Sequence, residues 1–118
     1  MSDFTSINPT LSINSQLLND IFVTAIEGGI NYWAQVNQYN HNIDNYSADI
    51  TITESPNDFT QLDYTINQQT IINGINKIAN HQSRRCQEIM SKIMTENFDA
   101  EDADIIAQVG LFDTPVFG

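Results

Sequence analysis

The sequence predicts an α+β fold, in which a three-stranded antiparallel meander packs with an N-terminal helix and two to three C-terminal helices. Apolar residues follow helical spacing near the N-terminus, alternate through the middle of the chain and return to helical spacing in the last half. The connections between the alternating segments are short, which favours antiparallel strands. Because 118 residues suit one independently folding unit, we expect a single domain over residues 1–118.

The first helix is expected to begin at Ser15, a candidate N-cap, since an apolar stripe follows it. The stripe has the i, i+3, i+4 spacing of one helical face and contains Leu17, Leu18, Ile21, Phe22 and Ile26. Gly28 and Gly29 predict the end of this helix, because glycine readily takes the left-handed conformation found there. Residues 1–13 are predicted to be extended or loose.

Three alternating segments predict the strands. The first places four apolar residues on one face, namely Ile30, Tyr32, Ala34 and Val36. Trp33 falls on the opposite face, where it belongs either to the core or to a subunit interface. The second segment covers residues 46–52 and the third covers residues 62–66, with a predicted turn over residues 54–58 between them.

From Asn67 onward, the apolar residues again follow helical spacing. Two apolar stripes separated by a break at residues 81–83 predict two consecutive helices. Asp99 is a candidate N-cap for a last short helix, and Gly110 is expected to end it. The apolar residues 111–117 are then expected to dock on the core.

Charge is the most informative property of this sequence. There are 15 acidic and 4 basic residues, a formal net charge of −11, and residues 1–76 contain neither Lys nor Arg. Such a field repels nucleic acid and anionic membranes and attracts basic surfaces, so a basic protein is the expected partner. Acidity that only maintains solubility is the alternative. The candidate binding carboxylates are Asp44, Asp49, Glu54, Asp58, Asp63, Glu101, Asp102 and Asp104.

All four basic residues fall within a short stretch, at Lys77, Arg84, Arg85 and Lys92. Their near-heptad spacing predicts one basic patch on a helix. This patch is either a solvated helix face or the contact through which a homodimer forms, with the patch meeting an acidic patch on a second copy.

Residues that could carry chemistry form no recognisable motif. His41 and His81 lie in no motif with Cys86, which sits on an apolar stripe and is expected to be a small buried hydrophobe. The carboxylates of residues 99–104 lack a histidine partner, and residues 40–51 lack the glycine and the glutamate of a calcium loop. Both are expected to be solvated acidic surface. We therefore expect no enzymatic activity, no cofactor and no metal.

Location follows from what the chain lacks. No stretch approaches the length of an apolar membrane span, and the first residues lack the pattern of a signal peptide. A cytoplasmic protein is therefore expected.

Two segments resemble a family of small uncharacterised phage and prophage proteins. Residues 20–33 contain the pattern Glu-Gly-Gly-x-x-Tyr-Trp, and residues 103–112 contain Ala-Asp-x-Ile-x-Gln-x-x-Leu-Phe, followed by a closing Val-Phe-Gly. The matching positions are Glu27, Gly28, Gly29, Tyr32, Trp33, Asp104 and Gln108. The resemblance implies an accessory gene on a mobile element and brings no established activity. These positions form either a functional site or a structural corner between helix and strand.

Charge and resemblance together favour a non-enzymatic inhibitor of a host defence system, of the anti-CRISPR or anti-restriction type. Its carboxylates would occupy a basic nucleic-acid-binding surface in place of phosphates, in the cytoplasm of the host cell. One alternative is a protein that sequesters a signalling nucleotide near Gly28, Gly29 and Trp33, although a phosphate would need basic residues nearby. Another is an oligomeric phage accessory protein with a different role. An enzyme is the least supported class.

Overall fold

The structure, a computed structural model, describes residues 14–42, 45–54 and 61–118. Its elements in chain order are α1 (Ser15–Thr24) with a following π-helical turn (Ala25–Gly29), β1 (Ala34–Asn40), β2 (Ser47–Ile52), β3 (Asp63–Asn67), α2 (Gln68–Ala79), α3 (Arg84–Met94) and α4 (Ala100–Phe112). The strands form one antiparallel sheet in the order β1-β2-β3. The predicted α+β class, with its three-stranded meander, is confirmed.

Some predictions fall on other parts of the chain. The loose segment 1–13, most of the turn over residues 54–58 and the candidate carboxylates Asp44 and Asp58 lie outside the described residues.

A β-bulge at Asn37 changes which residues of β1 face the helices. Val36 lies opposite Ile50 and Gln38 lies opposite Asp49, so Asn37 is the extra residue. An extra residue shifts the alternation by one position. Ala34 and Val36 therefore face the core before the bulge, whereas Tyr39 does so after it, with its ring 5.9 Å from that of Phe22.

The predicted start of the first strand is wrong. Residues 30–33 form a turn in which the Trp33 backbone N–H donates to the Ile30 carbonyl, and β1 begins only at Ala34. Trp33 is fully buried and belongs to the core, whereas Tyr32, assigned to the apolar set, is about half exposed. Long-range packing of Trp33 overrides the local alternation here.

The first helix also begins and ends for reasons that differ from the prediction. Asn14 is the N-cap, because its side chain accepts from the Leu17 backbone N–H at 2.8 Å, and Ser15 is the first helical residue. The helical segment ends at Gly29 as predicted, but Gly28 and Gly29 are not left-handed. Gly29 instead permits a close approach, since a Cβ there would lie 2.7 Å from the Ala100 carbonyl oxygen of α4.

Two glycines also bring α2 and α4 into backbone contact. A Cβ on Gly74 of α2 would overlap the Ile106 carbonyl oxygen, and a Cβ on Gly110 of α4 would overlap the Thr70 carbonyl oxygen. Gly110 therefore does not stop α4, which continues to Phe112 and ends at Asp113 in the left-handed conformation. The predicted helix stop at Gly110 is wrong because this glycine serves the crossing of two helices.

The helices and the inner face of the sheet share one apolar core. The predicted break at residues 81–83 is confirmed, and Ser83 is the N-cap of α3. Residues 111–117 dock as expected, with Leu111, Phe112 and Phe117 packed against the core. Cys86 was predicted to be buried, but its side chain is only half-buried. In the described part of the chain, no helix combines the length and apolarity that a membrane span requires.

Candidate functional site

Asp104 is the buried centre of a polar cluster, which we call the Asp104 cluster and define as Tyr32, Trp33, Asp104 and Gln108. Asp104 lies in the second turn of α4 and is only 4% exposed. Its Oδ2 accepts from the Tyr32 hydroxyl at 2.7 Å, and its Oδ1 accepts from Trp33 Nε1 at 2.8 Å and from Gln108 Nε2 at 2.9 Å. One carboxylate thus ties the residues before β1 to α4.

Gln108 extends this cluster to the C-terminal segment. Its Oε1 accepts from the backbone N–H groups of Val116 and Phe117 at 2.7 and 2.8 Å. The Phe117 ring stacks on Trp33 with centroids 4.8 Å apart, and Phe112 meets Trp33 edge-on at 5.8 Å. A ligand that stacked on Trp33 would therefore have to displace residues 116–117, which weakens the nucleotide-site hypothesis at this position.

Tyr32 is held as a hydrogen-bond donor within the cluster. Burial, together with the hydrogen bond to Asp104 and the charge of that carboxylate, raises the pKa of Tyr32 to about 12. The phenol consequently keeps its proton further into the alkaline range than an ordinary tyrosine and remains a donor to Asp104.

The positions that carry the resemblance do not all come together. Four of them form the Asp104 cluster, and Gly29 touches it, since a Cβ there would lie 3.3 Å from the Asp104 Cβ. Glu27 and Gly28 are exposed, and a Cβ on Gly28 would meet nothing within 4 Å. The arrangement fits the structural corner between helix and strand. The resemblance itself stays a prediction.

The acidic N-terminus of α4 is less exposed than predicted. Asp102 is 1% exposed and accepts from the Asp99 backbone N–H at 3.0 Å, completing a capping box. In return, the Asp102 backbone N–H lowers the pKa of Asp99. The prediction of a solvated acidic surface is therefore wrong for Asp102 and Asp104, whereas Glu101 is exposed. Among the described residues, no three metal-binding side chains are grouped to hold an ion.

The basic residues are divided between two helices and do not lie on one. Lys77 belongs to α2, whereas Arg84, Arg85 and Lys92 belong to α3. The ion pairs join Lys77 to Asp113, Arg85 to Glu101 at 2.9 Å, and Lys92 to Asp99 and Asp102 at 3.9 and 3.3 Å. Three of the four basic residues therefore already form ion pairs with acidic residues of the same chain. A homodimer formed through this patch stays a prediction.

A second polar group covers the side of the sheet that faces away from the helices. We call it the outer face and define it as Asn37, Asp49, Thr51, Asp63 and Thr65. Asp49 lies opposite Thr65 and Asp63 lies opposite Thr51 in the β2–β3 register. Thr65 donates to Asp49 at 2.9 Å, Thr51 donates to Asp63 at 2.7 Å, and Asn37 donates to Thr51 at 2.7 Å. Both carboxylates are exposed and held in place.

The structure thus brings two predicted binding carboxylates, Asp49 and Asp63, to one face, with Glu54 exposed just beyond the end of β2. The threonines and Asn37 were not predicted as partners. Alternation identifies the face of a strand, but the pairing of residues across strands depends on register.

No protein-family model, curated protein or solved structure matches this chain. Its function must therefore be inferred from the geometry of its own residues.

Proposed function

We propose that this chain is a binding protein whose outer face contacts a basic protein surface that ordinarily holds nucleic acid. One observation carries the proposal. Asp49 and Asp63 are exposed to solvent, yet cross-strand threonines fix their positions on a sheet whose sequence contains no Lys or Arg. An acidic coat that served only solubility would not require carboxylates oriented in this way.

Fixed carboxylates favour binding because less conformational freedom is lost on association. Asp49 and Asp63 are diagonal neighbours across β2 and β3, a relation that places side chains about 7–8 Å apart. Their hydrogen bonds from threonine leave further carboxylate lone pairs free to accept from Arg or Lys of a partner. The outer face therefore presents two acceptors at a defined separation.

On the helical side of the molecule, part of the negative charge is paired or buried, although Glu88 and Glu96 are exposed there as well. Exposed Glu101 and Asp113 pair with Arg85 and Lys77, while Asp102 and Asp104 are buried. The strands β1, β2 and β3, by contrast, contain Asp49 and Asp63 and no basic residue. This contrast supports the sheet, with neighbouring Glu54, as the recognition surface.

Within this proposal, the partner favoured by the sequence is a nucleic-acid-binding protein of a host defence system, which the chain inhibits without catalysis. The resemblance to phage and prophage proteins supports the defence context, and the charge supports the mode of binding. The protein would act in the host cytoplasm and would itself bind neither nucleic acid nor membrane.

A pull-down from bacterial lysate with matched variants tests the proposal. The double variant Asp49→Asn/Asp63→Asn removes the outer-face charge, whereas Glu88→Gln/Glu96→Gln removes the same charge from exposed positions on and after α3. We expect wild type and the control to recover the same nucleic-acid-binding protein, and the outer-face variant to recover at least about tenfold less. Raising the salt concentration and adding DNA or RNA should each release that protein.

Two results would contradict this function. Equal recovery by the two double variants would remove the outer face from recognition. A partner that neither salt nor nucleic acid displaces would show that the chain does not occupy a basic nucleic-acid site.

A further inference from the structure

The helical side contains a cavity of about 720 Å³ that shares no residue with the outer face. It lies between the C-terminal end of α2, the first half of α3 and the face and end of α4. Its floor is apolar and consists of Ile78, Ile89 and Val109, which are 2%, 1% and 6% exposed. Cavities of this size and character are typical of small-molecule sites.

The rim of this cavity is the place where cationic side chains gather. Lys77 and Arg85, two of the four basic residues of the chain, line it together with His81. Their acidic partners are exposed, because the side chains of Asp113 and Glu101 are 79% and 69% accessible. Exposed ion pairs contribute little net stability, so each cation can exchange its carboxylate for another anion.

We propose that this cavity binds a small amphipathic anion, with an apolar body on the isoleucine and valine floor and one carboxylate head at Lys77 and Arg85. Charge complementarity selects the head group. In a chain of net charge −11, an anion meets repulsion over most of the surface, while two cations line this cavity. The apolar floor favours a ligand with an apolar body, because a fully hydrated anion would gain no free energy from contact with an apolar surface.

The charged residues at the rim also favour an anionic head group over a cationic one. The charged residues that line the cavity are Lys77, Arg85 and Asp113, and Glu101 outside the lining pairs with Arg85, so that each cation gains a free partner position only when an incoming anion displaces its exposed carboxylate. A carboxylate that displaced Asp113 from Lys77 would form a charge-assisted hydrogen bond in a less exposed position. A cationic head would instead compete with Lys77 and Arg85 for the acidic side chains.

Cys86 provides a reporter of occupancy. It is the single cysteine of the chain, it is half-buried, and it lines this cavity. An apolar body resting on Ile89 and Val109 would cover the thiol, so the rate of its reaction with a soluble disulfide reagent should fall when the cavity is filled.

The experiment measures the reaction rate of Cys86 and the thermal midpoint of the full chain with decanoate, decanol or decylamine, the two ionic probes below their micelle concentrations and decanol below its solubility limit. We expect saturating decanoate to slow the thiol reaction at least about tenfold and to raise the midpoint by mass action. Decanol should act weakly and decylamine least. Titrations within these limits give the affinity of each probe.

Matched variants separate the head-group contact from general charge. Arg85→Gln should weaken decanoate binding about tenfold, whereas Arg84→Gln, the same change one residue earlier and outside the lining, should leave it unchanged. Ile105→Phe, which narrows the cavity, should weaken all three probes.

Equal protection by decanoate and decanol, or equal affinities of the two arginine variants, would overturn the carboxylate assignment. Absence of protection by every probe would overturn the site. Protection that rises with protein concentration and needs no probe would show that a second copy of the chain covers the cavity, which also overturns the proposal. Because the outer face is untouched in these variants, none of these outcomes bears on partner binding there.

Discussion

The Asp104 cluster and the outer face use the same side chain for opposite purposes. Asp104 is 4% exposed and accepts hydrogen bonds from three side chains, two of them buried donors. Asp49 is exposed and accepts from Thr65 on the neighbouring strand. Water can replace a hydrogen bond at the surface but not in the core, so Asp104 stabilises the fold while Asp49 remains accessible from the solvent. Net charge does not distinguish these two roles.

Replacing the aspartate by alanine should show the clearest difference in stability between the Asp104 cluster and the outer face. Asp104→Ala leaves the buried Trp33 Nε1 donor without its acceptor and removes one acceptor of Gln108 Nε2, and we expect the free energy of unfolding to fall by about 3 kcal/mol. Asp49→Ala should change it by less than about 0.5 kcal/mol. Urea denaturation at pH 7 measures both. Equal losses would mean that the cluster does not stabilise the fold more than the surface does.

An added carboxylate should also destabilise the protein much more in the Asp104 cluster than on the exposed face of the sheet. Gln108→Glu removes the donor to Asp104 and places a second carboxylate beside it, so we expect a loss of about 2 kcal/mol at pH 7. At pH 4 the loss should shrink, because a protonated Glu can donate as the amide does. The exposed control Gln35→Glu on β1 should cost less than about 0.5 kcal/mol. A pH-independent loss for Gln108→Glu would contradict the repulsion between the two carboxylates.

Alkaline titration gives the smallest of these effects. The pKa of Tyr32 is raised to about 12 by burial and by Asp104, and burial raises that of Tyr46 to about 12. A folded-state pKa above the ordinary value of 10.0 contributes stability that is complete below pH 10 and is lost as pH rises through 12. Tyr32→Phe should remove one phenol from the late phase of the tyrosinate absorbance titration. At neutral pH it should cost about 1 kcal/mol.

An unchanged late phase in Tyr32→Phe would place the high pKa elsewhere. Asp49→Asn is the matched control, because it changes charge on the outer face and should leave the tyrosine titration as it is in the wild type.

The sequence predicted the order of helices and strands because period and turn chemistry are local properties. It did not predict the Asp104 cluster as a contact, since Trp33 and Asp104 are 71 positions apart. No periodicity encodes such a distance. Only the resemblance to phage and prophage proteins singled out both residues, and it did so without indicating that one hydrogen-bonds to the other.

Glycines and acidic residues were misinterpreted for a related reason. Glycine serves both helix ends and close backbone approach, and at Gly29 and Gly110 the second use applies. Acidic residues are usually solvated, but α4 is buried along most of its length, so Asp102 and Asp104 point inward. The choice between these uses depends on neighbours that the local sequence does not reveal.

The glycine crossing of α2 and α4 has a consequence for the cavity beside it. At Gly74 and Gly110 the separation of the two helices is set by main-chain atoms, which no rotamer change can relieve. The two walls of the cavity that α2 and α4 form are therefore held at a fixed separation. A molecule that binds there would cost these two helices little conformational entropy.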